Sequence, residues 1–152
     1  MTQARLSGQV AIAAAPATVA AALRDPAVLR GMIPGCTDVV PIGPDTWSAR
    51  IEKAAGPVTL RLVAQLALET LPDGAGYVLT ARGKSLIAGS VSLRLALALT
   101  GAPGATLLQH EGVLQAEGLA GRLLQGNEAQ VAARTGQLFD RLREHVEATA
   151  RA

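Results

Sequence analysis

Aromatic residues are scarce in this sequence: one Trp, one Tyr and one Phe, 2% of a chain that is 49% hydrophobic. The interior must be filled by Leu, Val and Ala, which fill the space between a wide sheet and a helix poorly. An internal cavity is the expected consequence. The single cysteine, Cys36, excludes an intrachain disulfide and argues against a thiol-rich metal site. No His, Cys or carboxylate has useful ligand spacing around His110, and His145 lies far along the chain, so no metal is expected. Net charge is only +2 and the charges are scattered, without a basic run or interleaved aromatics. That excludes nucleic acid as an expected partner. No apolar run is long enough for a transmembrane helix, which needs about 18 residues or more. The alanine-rich stretch from Val10 to Leu23 follows Arg5 as a signal peptide would, but Gln9 and Pro16 interrupt the pattern. A cytoplasmic location is expected. A dinucleotide-binding glycine motif after a strand, a phosphate loop, a Gly-x-Ser-x-Gly elbow and a paired metal-binding helix are all missing.

The C-terminal stretch from Gly118 to about Ala150 is the most organised part of the chain. Ala120, Leu124, Val131, Leu138, Leu142 and Val146 recur at steps of three, four and seven, one stripe of an α-helix. Such a helix would reach roughly 45 Å at about 1.5 Å per residue. It cannot bury its stripe alone and needs a sheet to lie on. Asn127 and Thr135 fall on the same stripe. They either bond backbone carbonyls at a wet part of the groove or look into a cavity and meet a ligand's polar end. Gly126 is a candidate bend.

Before that helix the pattern is extended. Leu6 to Ile12 alternates as a half-buried strand. Pro16 and Pro26 each stand at the first turn of a short helix, with Asp25 as cap of the second. Six strands follow, divided by turns at Gly43-Pro44-Asp45, Gly56-Pro57, Pro72-Asp73-Gly74, Ser85–Ala88 and Gly101–Gly104. Successive hairpins imply an antiparallel sheet. The expected architecture is α+β and a single domain over residues 1–152. A bent antiparallel sheet of about 7 strands, with two short helices after the first, holds the long C-terminal helix in its concave face.

Period-two alternation assigns the inward faces. Trp47 and Ile51 share one face of their strand; Leu60, Leu62 and Leu66 that of the next; then Leu79. Leu93, Leu95 and Leu97 follow, then His110 and Leu114. With Leu124, Asn127, Val131 and Thr135 from the helix, these are the candidate ligand-binding residues. Met32, Ile33, Pro34, Gly35 and Cys36, the turn leaving the short helices, form the candidate gate together with those helices and the loop Ser85–Ala88. Lys53 either snorkels to the rim or offers a cation at the cavity mouth. His110 is either a satisfied interior histidine or a donor to a ligand carbonyl.

Strand, helix pair and turn carry a more specific pattern: Asp25-Pro26, Leu29, Ile33-Pro34-Gly35-Cys36, then Gly56-Pro57-Val58 before a long strand. Gly83-Lys84, Gly89-Ser90 and the helix from Leu119 to Phe139 add to it. In this order the residues resemble the CoxG family of carbon monoxide dehydrogenase proteins, within the START-like, helix-grip (SRPBCC) superfamily. The resemblance spans about Leu6 to Leu142. It implies an accessory protein for a molybdenum-containing hydroxylase such as carbon monoxide dehydrogenase, with enzyme maturation, membrane recruitment or the handling of an apolar electron acceptor such as a quinone as its tasks. Several relatives carry a C-terminal membrane-anchoring extension; this sequence ends at Ala152, so any membrane contact is expected to be peripheral.

The leading expectation is a non-catalytic binding protein holding an elongated apolar ligand, a quinone or lipid, with no covalent cofactor. Two alternatives stand beside it. One is an interaction or maturation factor without a ligand. The other is a small cyclase-type enzyme using His110 or Lys53 as acid or base.

Overall fold

The computed structural model describes residues 2–55, 57–72, 76–85 and 89–150. Strand β1 (Thr2–Ile12) leads into helices α1 (Pro16–Ala22) and α2 (Pro26–Met32). Six strands follow: β2 (Cys36–Gly43), β3 (Thr46–Ala55), β4 (Val58–Thr70), β5 (Tyr77–Ser85), β6 (Gly89–Ala102) and β7 (Ala105–Glu117). Helices α3 (Leu119–Leu124) and α4 (Glu128–Ala150) complete the chain.

All pairings are antiparallel, and the strands lie in the order β1-β7-β6-β5-β4-β3-β2. Five consecutive hairpins produce everything from β2 to β7, and β1 then adds to β7. Strands β1 and β2 are therefore the two edges, and α1 and α2 carry the chain from one to the other. Edge position is also what lets Pro41 sit within β2, since proline has no N–H for a central ladder. Asp25 caps α2 as its sequence position predicts, its carboxylate accepting from the Ala27 N–H at 2.9 Å. The Thr106 hydroxyl of β7 donates to the Ala14 carbonyl at 2.7 Å in a buried contact that fixes the exit from β1.

The C-terminal segment differs from the single helix expected. It is two helices, broken over Gln125–Asn127, with Gly126 at φ 80°. That left-handed conformation is open to glycine and ends α3. The Gly126 N–H then donates to the Glu128 carboxylate at 3.2 Å, and α4 starts afresh. With 23 residues α4 is about 35 Å long, shorter than the uninterrupted rod. It lies against β1, α1 and α2. Thr135, Phe139, Leu142 and Val146 form its buried stripe at steps of four, three and four. Among the described residues no helix is long and apolar enough to cross a membrane.

The core lies between the concave sheet face and these helices. Leu6, Ile12, Leu95 and Leu108 from the sheet pack with Val19, Phe139, Leu142 and Val146 from the helices and with Leu23 just after α1, all essentially without solvent contact.

Candidate functional site

Packing is not complete everywhere. A cavity of about 180 Å³ lies between α2, α4 and the middle strands. From α2 and the residue after it come Leu29, Met32 and Ile33; from α4, Leu138 and Phe139. The sheet contributes Ile51 of β3, then Leu62, Ala64 and Leu66 of β4. Leu79, Ala81 and Gly83 of β5, Val91 and Leu93 of β6, and Leu114 of β7 close it. These are inward positions of adjacent strands, related by register: Ala64 pairs with Gly83, Leu66 with Ala81, and Ala81 with Leu93. The gap has a composition cause. Ala64, Ala81 and Gly83 stand side by side on β4 and β5, where larger residues would have filled the space.

Every side chain on this wall is apolar, so it can bind by excluding water and offers no acid or base. An apolar cavity of about 150 Å³ stays dry and accepts a single benzene ring, whereas drug-sized pockets run to about 300–1,000 Å³. The site is thus the size of one ring. Two wider depressions, of about 520 and 650 Å³, are open to solvent. The first is bordered by Ser7, Gln9, Gln109 and Glu111 together with Ala96, Ala98 and His110.

Of the sequence candidates, Ile51, Leu62, Leu66, Leu79, Leu93 and Leu114 meet on the cavity wall. Trp47, Leu95, Leu97 and Leu124 are buried in the packed core and do not reach it. Val131 is half-buried against that core. Thr135 is buried, but its hydroxyl donates to the Val131 carbonyl at 2.9 Å. Asn127 is exposed, and its amide donates to the Leu123 carbonyl at 2.9 Å. Both polar residues of the helix stripe therefore satisfy themselves on their own backbone instead of facing the cavity. The side chains of Leu60 and Lys53, and the loop 86–88, lie outside the described residues.

In the candidate gate, Met32 and Ile33 line the cavity, while Pro34 and Gly35 are exposed. Gly35 has φ 76°, and its carbonyl accepts from the Glu52 N–H at 2.9 Å, so the turn is stapled to β3. A Cβ at Gly35 would run into the Glu52 carbonyl oxygen. Cys36 is a free, half-buried thiol 3.4 Å from the Asp38 carbonyl oxygen. Burial pushes its pKa up, which keeps it protonated and a poor nucleophile.

His110 is buried and lies outside the cavity wall. Its ring stacks on Phe139, centroids 4.5 Å apart and planes 23° from parallel. Neither ring nitrogen has a hydrogen-bond partner among the described residues. Burial lowers its pKa, so the imidazole is neutral at pH 7. Phe139 touches both the cavity and this imidazole, yet it is not among the residues that strand parity and helix period single out above. The available signal was its spacing, four residues after Thr135 and three before Leu142. Leu138 is on the helix stripe identified above and Leu29 lies in α2, but which of these side chains reach the cavity depends on long-range packing that spacing does not show. Among the described residues no group of three or more His, Cys, Asp or Glu side chains could hold a metal.

Comparison with known proteins adds family and fold. The model of the carbon monoxide dehydrogenase CoxG family matches residues 8–141. Among curated proteins no sequence matches the chain. A crystal structure of a conserved protein from Geobacillus kaustophilus superposes with a TM-score of 0.77 at 19% identity, over 95% of this chain and 96% of that one. The Zhui aromatase/cyclase from Streptomyces sp. R1128 superposes at 0.65 and 20% identity, over 99% and 97%. A START superfamily protein from Mycobacterium smegmatis does so at 0.56 and 16% identity, over 88% and 98%. At these identities the likeness establishes a shared START-like fold and nothing about ligands.

Proposed function

Because the chain belongs to the CoxG family of carbon monoxide dehydrogenase proteins, we propose that it is a non-catalytic carrier of an apolar molecule, accessory to a molybdenum-containing hydroxylase. The guest's ring end occupies the cavity between α2, α4 and the sheet. An elongated quinone or lipid extends its tail past Ile33, Ile51 and Val91 of the wall. The carrying observation is the wall itself: fifteen residues from seven elements meet around 180 Å³, and all are apolar. Burial of apolar ligand surface is worth about 25 cal/mol per Å², so such a wall supports binding without charged contacts. In this reading the protein works in the cytoplasm and any membrane contact is peripheral.

A cyclase-type enzyme would need an acid or base on the wall. The described wall supplies neither. This favours carriage over catalysis. An interaction factor without a ligand would have no use for the gap left by Ala64, Ala81 and Gly83. Native mass spectrometry and organic extraction of the purified protein test the proposal. The expected result is one apolar small molecule bound per chain. Protein that is always empty and takes up no ring hydrocarbon, quinone or lipid would overturn it.

A further inference from the structure

The buried imidazole of His110 is the one feature of the described interior that packing does not account for. The residue is only 5% exposed, and both ring nitrogens lack a partner. A buried polar group without a hydrogen bond destabilises a fold, and leucine would pack the same position without that loss. The site has also been shaped to admit a ring. Gly8 faces it across the β1–β7 pairing, where a Cβ would come within 2.7 Å of the imidazole Cε1.

Its place relative to the cavity gives it a use. Leu79, on the cavity wall, is level with Leu95 and Gly112 across β5, β6 and β7. His110 is the next inward residue of β7 after Gly112, about 7 Å along the strand. Gly112 presents no side chain between cavity-lining Leu114 and His110, and a Cβ there would run into the Arg94 carbonyl oxygen. Phe139, on the cavity wall and stacked on His110, links the two, with Leu95 and Leu97 of β6 packed beside them opposite Gly112 and His110.

We propose that His110 is the polar end of the guest site: its imidazole N–H donates to the carbonyl oxygen of a ring ketone once Phe139 swings off the stack. The ligand class is an aromatic or quinonoid ring bearing a carbonyl. Such a guest buries its apolar body against Leu66, Leu79 and Leu93 and reads one polar atom at the far end. A neutral imidazole suits this, because it donates a proton in a hydrogen bond without placing a charge in an apolar interior. This inference rests on the carrier function above, and its test separates the two.

Acetophenone and cumene are near-isosteric single-ring probes that differ in the carbonyl. Their binding is measured by calorimetric titration to the wild-type protein and to His110→Leu. The expected result is an approximately tenfold weaker acetophenone Kd in the variant, with the cumene Kd changed by less than about twofold. Equal effects on both probes, or no effect on acetophenone, would overturn the assignment while leaving the carrier function intact. If neither probe binds the wild-type protein, the carrier function fails and this inference with it. A second measurement needs no variant: the ¹⁵N resonances of the His110 ring in the wild-type protein. Acetophenone should shift them and cumene should not. Ring nitrogens already hydrogen-bonded without ligand and unmoved by acetophenone would identify a buried water as the partner and overturn the proposal.

Discussion

Gly8 stands directly opposite His110 in the β1–β7 ladder, so that a methyl group on Gly8 would lie 2.7 Å from the imidazole. Retreat of the imidazole would disrupt its stack on Phe139, whose ring centroid is 4.5 Å away. Gly8→Ala is therefore an overpacking substitution, although alanine is otherwise at least as good in a strand. It should lower stability by about 1–3 kcal/mol in urea unfolding. In the His110→Ala background the same substitution should cost much less, because the atoms it strikes are gone.

The burial of His110 gives folding a pH dependence of definite sign. Its folded-state pKa lies below the ordinary 6.5, so the unfolded chain binds the proton more readily. Stability should be complete above about pH 6.5 and fall as the pH drops through that value toward the folded-state pKa. Denaturant midpoints between about pH 8 and pH 5 check this. His110→Leu should flatten that part of the profile, and an unchanged slope would contradict the assignment.

Arg24, in the link between α1 and α2, ties the helices to the end of the sheet farthest from Gly35. Its Nε donates to the Asp45 carboxylate at 3.0 Å, its guanidinium donates to the Thr70 hydroxyl at 2.8 Å, and its charge lies 5.3 Å from the Tyr77 ring centroid. The pair is partly exposed, with 31% and 47% of the two side chains open to solvent, so screening limits it. Arg24→Ala should cost about 1 kcal/mol, read as a lower melting temperature. Arg24→Lys should recover less than half, since a point charge cannot serve both acceptors and the ring together.

Two substitutions that enlarge an inward residue should behave in opposite ways. Ala64 is on the cavity wall, and Ala64→Phe directs a ring into the empty volume. The variant should stay within about 1 kcal/mol of the wild type and lose affinity for ring ligands. Leu95 is fully buried and away from the cavity, so Leu95→Trp has nowhere to place its added bulk. It should cost about 1–3 kcal/mol or more. Thermal unfolding and ligand titration on both variants make the comparison.

Much of the fold was legible because its determinants are local. Alternation from Val91 to Leu99 marks β6, turn residues mark the hairpins, and the Asp25-Pro26 pair marks the start of α2. The break at Gly126 was ambiguous, since a glycine inside an apolar stripe is compatible with a bend or with a continuous helix at about 1 kcal/mol. The site was harder. Period-two parity says which face a residue is on, and it placed Leu93, Leu95 and Leu97 together. Which part of that face a helix covers depends on where Phe139, Leu142 and Val146 come to rest, a long-range property. So Leu93 lines the cavity while Leu95 and Leu97 are packed over. Asn127 and Thr135 fell on the helix stripe by period, but a short polar side chain can turn back to a carbonyl one turn earlier, which spacing does not reveal.

The central claim is that the space between α2, α4 and the sheet receives an apolar ring. Methyl NMR of leucine-labelled protein during titration with cumene tests it most directly. The account predicts saturable shifts of the Leu62, Leu66, Leu79, Leu93 and Leu114 methyls, with Leu6, Leu108 and Leu23 in the packed core little changed. Shifts confined to the exposed Leu119 and Leu123, or no saturable shift at all, would contradict it.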